Sequence, residues 1–199
     1  IKIVVTTYFE HSNEATKILV NTPIWALGLD FIYGNKNFES LEFIKNSNKV
    51  LIAGIIDGRN IWKSDFQEKV SLLKKISKVI TKENIIISTS CSLLHVPFSL
   101  KYEDNLDKEI KSWLAFSNEK LQELLLISKL FCDFKLNLEE ISIIRKNIED
   151  NNQRKTSSKI HNLKIQEEIK NLKFFERVDK FQDRIKAQRE FFKYDFLTT

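Results

Sequence analysis

Val50-Leu51-Ile52-Ala53-Gly54-Ile55-Ile56-Asp57-Gly58 is an apolar, largely β-branched run that closes on a carboxylate and a glycine. It is short for a helix and does not alternate apolar with polar residues. A strand covered on both faces of a parallel sheet reads this way. Similar runs stand at Ile1–Val5, Ile24–Phe31 and Ile85–Ile87. The stretches between them are long enough for crossover helices. The clearest is Ser64–Ile80, which opens on a capping-box pattern, Ser64-x-x-Gln67, and repeats Phe66, Val70, Leu73, Ile76 and Ile80 on one stripe. The rhythm is therefore βα, and the fold class is α/β. Four such units make either a small open sheet or the second half of an eightfold barrel, and the pattern fits both.

Beyond Pro97 the chain contains neither glycine nor proline, and it reads as helical. A long helix is expected over about Asp107–Cys132, with Ile110, Trp113, Leu114, Leu121, Leu124 and Leu125 on its apolar face. Shorter helices are expected near Leu138–Ile148, Ile160–Leu172 and Val178–Phe192. The polar run Glu149–Lys159 between the first two of these reads as a connector. The expected organisation is a sheet-bearing part, 1–132, and a helical extension, 133–199.

The chain has 199 residues, with 32 Lys and Arg against 27 Asp and Glu, a net charge of +5. The basic groups are spread over both halves, not gathered into a nucleic-acid footprint. No stretch is long and apolar enough to suggest a membrane span, and no secretion signal is visible. Two cysteines, Cys91 and Cys132, make no disulfide framework, so reduced thiols and a cytoplasmic setting are expected.

In a parallel α/β sheet, chemistry gathers at the carboxyl ends of the strands. Here those ends carry Thr6-Thr7, Asp30, Asp57 and Ser88-Thr89-Ser90. Asp30 and Asp57 suit acid–base work, but capping of the turns that follow is the more frequent use of such residues. Cys91 and His95 stand four apart and could offer zinc two ligands or form a nucleophile pair; no third ligand or orienting group stands near them in sequence. Gly54-x-x-x-Gly58 lacks the phosphate-cradling signatures, and a tight turn at Gly58 explains it better. Arg154, Lys155, Lys159 and His161 form a basic run that fits an anion or, more simply, solvent.

Five segments in order carry a resemblance: Val5-Thr6-Thr7-Tyr8-Phe9, Gly28-Leu29-Asp30-Phe31, Asp57-Gly58-Arg59-Asn60-Ile61-Trp62, Ser90-Cys91-Ser92-Leu93-Leu94-His95-Val96-Pro97, and Lys111-Ser112-Trp113-Leu114-Ala115-Phe116. Together they resemble the N-terminal domain of the cobalamin-independent methionine synthases. A weaker likeness continues through Arg154–Asn162 and the closing Arg184–Thr199, which is similar to the family's interdomain linker.

The resemblance implies a partial (β/α)8 TIM barrel, about its strands five to eight, followed by a helical linker toward a second, catalytic barrel. It implies methyl transfer from 5-methyltetrahydrofolate polyglutamate to homocysteine, giving methionine without cobalamin. A zinc ion that activates the homocysteine thiol would be held by the second barrel, outside this chain. No catalytic or metal-binding residue is thereby carried onto these 199 residues, and the chain alone is expected to be inactive. Arg59, Asn60, Trp62, Ser92 and His95 are the residues expected on the substrate side, facing the other barrel. The reading from a different class is a non-catalytic binding or interaction module built on a barrel scaffold.

Overall fold

Every residue of Ala26–Asp30 is buried, and the sheet grows outward from this strand. The computed structural model describes residues 1–171 and 180–192. Its first compact unit, Ile1–Ser157, comprises β1 (Val4–Thr6), α1 (Asn13–Leu19), β2 (Ala26–Asp30), α2 (Leu41–Lys45), β3 (Val50–Ile56), α3 (Phe66–Ile76), β4 (Ile85–Thr89), α4 (Lys108–Ser112), α5 (Ser117–Phe131) and α6 (Leu138–Thr156). The strands pair in parallel in the order β1-β2-β3-β4. The α/β class and the four-strand parallel sheet expected from the sequence are both present. Each strand lies beside its predecessor, without the reversal of order that a doubly wound sheet shows.

Register explains which face is covered. Successive residues of a strand point to opposite faces. One cross-strand row is Val5, Leu27, Leu51 and Ile85, and another is Leu29, Ala53 and Ile87. Both rows pack into the main core with Ile44, Leu73, Ile76 and Ile127 from the helices. The alternate row is Thr6, Gly28, Ile52 and Ile86. There Thr6 is exposed and Ile52 half-buried, and Ile86 is 40% exposed. Val4, on the same side of β1, is 43% exposed. The apolar strands thus read as covered on both faces, while at β1 and β4 the described residues cover one.

The helices depart from expectation in three places. The capping residue of α3 is Asp65, whose side chain accepts from the amides of Gln67 and Glu68. Ser64 instead gives both its amide and its hydroxyl to Glu123. The single helix expected over Asp107–Cys132 is broken into α4 and α5 at Trp113–Phe116. Those four apolar residues are all buried, which no single helix stripe allows. Leu114 pairs there with Trp62, in the loop after β3, as an isolated antiparallel bridge, where Lys63 N donates to Trp113 O at 2.8 Å and Ala115 N to Ile61 O at 2.8 Å.

Hydropathy also misassigns the face of α5. Leu121 and Leu125 are exposed, whereas Lys120 and Glu123 are buried beside Ile127 and Phe131. Nor does the predicted helix stop at Ile148, since α6 runs to Thr156. Asn147, Asp150 and Asn151 form its buried face, and they satisfy backbone and charged groups around Lys63–Phe66. A hydropathy pattern scores such a face as solvent, because the groups it satisfies are polar.

Asp65 permits a test of this junction. Burial alone would raise its carboxyl; the Lys155 ammonium and the two helix amides outweigh that and hold it below the usual range. A lowered carboxyl contributes stability that is present above the ordinary carboxylate value and lost as pH falls through the lowered one. Asp65→Ala is therefore expected to cost about 1 kcal/mol near neutral pH. The gap between variant and wild type in urea unfolding should close as pH falls below the carboxylate range. A gap that stays constant with pH would show that the charge is not what caps α3.

The second compact unit begins at Ser158. It contains α7 (Leu163–Lys170), capped by Asn162, and α8 (Phe181–Phe192). Leu172 and Val178, assigned to these helices from the sequence, and the last seven linker residues, 193–199, lie outside the described residues.

Candidate functional site

The loops that leave the carboxyl ends of β1, β2, β3 and β4 meet in one polar and aromatic cluster, built from carboxylates that hold backbone. Asp30 accepts from the amides of Ile32 (2.7 Å) and Tyr33 (3.1 Å) through one oxygen, and from Glu10 N (3.2 Å) through the other. Asn37, wholly buried, donates to Asp30 O and Glu10 O and accepts from Ser12 N. Gly34 completes this clamp: a Cβ there would lie 2.4 Å from Asp30 O and 2.6 Å from Glu10 O. Held in this way, Phe9 and Glu10 take left-handed backbone angles, φ 61° and 86°, which side-chain-bearing residues adopt only when the surroundings impose them.

Asp57 does the same for the loop after β3. Its Oδ1 accepts from Arg59 N at 2.8 Å; its Oδ2 accepts from Asn60 Nδ2 at 2.6 Å and from the Tyr33 hydroxyl at 2.7 Å. That bond to Asp57 is the main reason the Tyr33 phenol is harder to ionise than usual. Of the two readings open for Asp30 and Asp57, the geometry realises the turn-holding one. Gly58 N donates to Ser90 Oγ at 3.2 Å, and a Cβ at Gly58 would lie 2.8 Å from Cys91 O.

The five residues expected on this side take different places. Arg59 lies with its guanidinium carbon 5.0 Å from the Phe9 ring centre and 5.1 Å from that of Tyr33. The His95 ring stands edge-on to Phe9 at 5.7 Å, so Phe9 links Arg59 with His95. Asn60 braces the loop from within, bonding Asp57 and accepting from Trp62 N. Ser92 caps the short turn Leu93–His95 by accepting from Leu94 N. Trp62 contacts Arg154, whose guanidinium carbon is 5.3 Å from its ring.

Sequence reasoning passed over Phe9 and Tyr33 as site residues. It also passed over the group beneath the loop. The Lys120 Nζ donates to Trp62 O at 3.2 Å, Glu123 holds Ser64, and Arg154 Nη1 donates to Lys63 O at 3.3 Å. Thus α5 and α6 grip the segment that carries Trp62. The basic run is divided: Arg154 and Lys155 are engaged by this loop and by Asp65, whereas Lys159 and His161 belong to the second unit.

Among the described residues no three His, Cys, Asp or Glu side chains converge as metal ligands. Cys91 is buried, burial pushes its thiol above the usual value, and His95 is turned toward Phe9. These residues do not fit a zinc site.

The molecule is thus a parallel α/β protein whose loops at the strand ends are stiffened by buried carboxylates and amides to present Arg59, His95 and Trp62. Residues 1–81 match the family described as cobalamin-independent synthase, N-terminal domain. The chain is 46% identical over 190 residues, 96% of its length and 25% of the relative's, to a 5-methyltetrahydropteroyltriglutamate–homocysteine methyltransferase of Desulforamulus reducens. It is 34% identical to the enzyme of that name in Baumannia cicadellinicola and 32% to that in Buchnera aphidicola, in both cases across its whole length and 26% of theirs. The chain belongs to the cobalamin-independent methionine synthase family. It spans about a quarter of the length of these relatives.

Proposed function

We propose that this chain is part of a methyltransferase that moves a methyl group from 5-methyltetrahydropteroyltriglutamate to homocysteine, forming methionine without cobalamin. The observation that carries the reading is the likeness, across the whole chain, to relatives bearing that name. Within the enzyme, residues 1–132 supply the second half of an N-terminal (β/α)8 barrel. Residues 133–199 form the helical extension toward a C-terminal barrel, with α6 docking back on α3. Sequential strand order and an apolar sheet face left uncovered support a barrel half over a finished open sheet. Zinc and its ligands belong to the C-terminal barrel, and the setting is cytoplasmic. No helix among the described residues is long and apolar enough to cross a membrane.

The chain's own part is to bind and orient. Arg59, Asn60, Trp62, Ser92 and His95 belong to the face turned toward the other barrel. Asn60 and Ser92 hold loop shape there, and Arg59, Trp62 and His95 present the contact groups. The test is methionine formation by the protein at its natural length, supplied with both substrates and no cobalamin; absence of methionine overturns the reading. His95→Ala is expected to raise KM for the folate about three- to tenfold with kcat and melting little changed, the pattern of lost uniform binding. Unchanged KM and kcat would remove His95 from this face.

A further inference from the structure

Within the strand-end cluster the fold does not itself consume the charge of Arg59. Asp57, its nearest acidic neighbour in the chain, accepts Arg59's amide, not its guanidinium. The other Asp57 oxygen is occupied by Asn60 and Tyr33, and both oxygens of Asp30 are taken by backbone amides. Among the described residues the Arg59 guanidinium enters no ion pair. It lies instead over two rings, those of Phe9 and Tyr33, from two different loops. Aromatic contact orients a guanidinium through its faces and leaves the in-plane N–H donors at its edge available.

The effort made to hold this arrangement is considerable. Phe9 reaches Arg59 from a left-handed backbone position, and the residue that follows it, Glu10, is held by Asn37, wholly buried, and by Asp30. Tyr33 is fixed by its bond to Asp57. Strain that the surrounding structure imposes at strand-end loops is a pointer to binding. A planar fork of donors, oriented and unpaired, matches the two oxygens of a carboxylate.

We propose that Arg59, set by Phe9 and Tyr33, is a carboxylate receptor. The carboxylate comes either from a bound small molecule or from another part of the protein at its natural length. The first source rests on the functional reading above; the receptor itself does not.

The test uses the protein at its natural length. Wild type and Arg59→Gln are titrated calorimetrically with 5-methyltetrahydropteroyltriglutamate and with the same compound carrying its carboxylates as amides. Thermal melting of both proteins is followed at low and high salt. Loss of a charge-assisted contact is expected to weaken the carboxylate form by about 10- to 100-fold and to leave the amide form unchanged. That result places the carboxylate on the ligand. Unchanged binding, with a melting temperature lowered by several degrees at low salt and restored at high salt, places it on the protein and also supports the receptor. Equal weakening of both compounds, or no change in binding and melting alike, overturns it. A wild type that binds neither compound defeats the functional reading alone, and the melting arm still judges Arg59. Phe9→Leu keeps the charge but removes one ring, and is expected to give part of the Arg59→Gln effect; a full-strength site without the Phe9 ring would also count against the proposal.

Discussion

Glu123→Ala is expected to destabilise the sheet-bearing unit by about 3–5 kcal/mol, the range for stripping one member from a buried ionic group. Glu123 is 5% exposed and accepts from Ser64 N at 3.0 Å and Ser64 Oγ at 2.7 Å. Truncation leaves a buried amide and a buried hydroxyl without acceptors, each carrying a desolvation penalty of about 1–3 kcal/mol. It also withdraws the carboxylate whose charge most favours the ammonium of Lys120, which is wholly buried. Glu123→Gln keeps an acceptor for Ser64 and should lose about half as much. Lys120→Met should lose less than Glu123→Ala, because it breaks one bond, to Trp62 O, and leaves Glu123 holding Ser64. Urea unfolding of the protein at its natural length measures all three. Equal losses for Glu123→Ala and Lys120→Met would mean that the acidic group is not what holds Ser64.

The pH dependence follows from the same burial. Burial raises the Glu123 carboxyl above its usual value, against the opposing bonds from Ser64 and the charge of Lys120, and burial lowers the Lys120 ammonium. An acid whose folded value is raised stabilises the fold less as pH climbs from the ordinary carboxylate value toward the raised one. Glu123→Gln does not titrate, so its deficit relative to wild type should be largest in acid and shrink as pH rises through that window. A deficit that grows instead would mean that the folded protein prefers the carboxylate.

The contrast between this network and the sheet shows what a sequence can disclose. Val50–Ile56 is legible because burial in a sheet demands apolar, β-branched residues and little else, and the strand lies where it was expected. Asp30 and Asp57 are legible as turn-formers because a short carboxylate after a strand has local amides to hold. Lys120, Glu123, Asn147 and Asn151 are not legible, since their partners at Trp62 and Ser64 are 58 to 87 residues away. Each looks like a solvated residue until the loop it supports is in place. Phe9 is hidden for a related reason. Its left-handed φ stands beside Glu10, which Asn37 and Asp30 hold, and nothing local to Tyr8-Phe9-Glu10 announces it. The strand-end cluster was therefore half visible: resemblance singled out Arg59 and His95, while Phe9, which touches both, is placed by tertiary contacts.

Ile86→Lys is expected to act in opposite directions in two settings, because the uncovered sheet face is a barrel interior in the proposed enzyme. In the protein at its natural length that row should be enclosed, and an unpaired ammonium placed there should destabilise it by about 3 kcal/mol or more. In residues 1–199 alone, Ile86, Val4 and Ile52 stand partly open to water, and β1 and β4 each have one strand neighbour among the described residues. Enclosing those three side chains is worth roughly 1 kcal/mol each, hence about 6 kcal/mol for two copies. That only matches the low end of the cost of association, about 4–15 kcal/mol. Backbone pairing of the open edges, at about 0.5–1.5 kcal/mol per hydrogen bond, tips the balance toward a weak dimer that closes the sheet, or toward edge-to-edge aggregation. Sedimentation of the isolated chain should then show species heavier than a monomer, and Ile86→Lys should drive them back toward monomer. A wild-type chain that stays a single monomer with one cooperative melt, together with an Ile86→Lys that leaves the natural-length protein unharmed, would mean that this face belongs to solvent and that the sheet is complete with four strands.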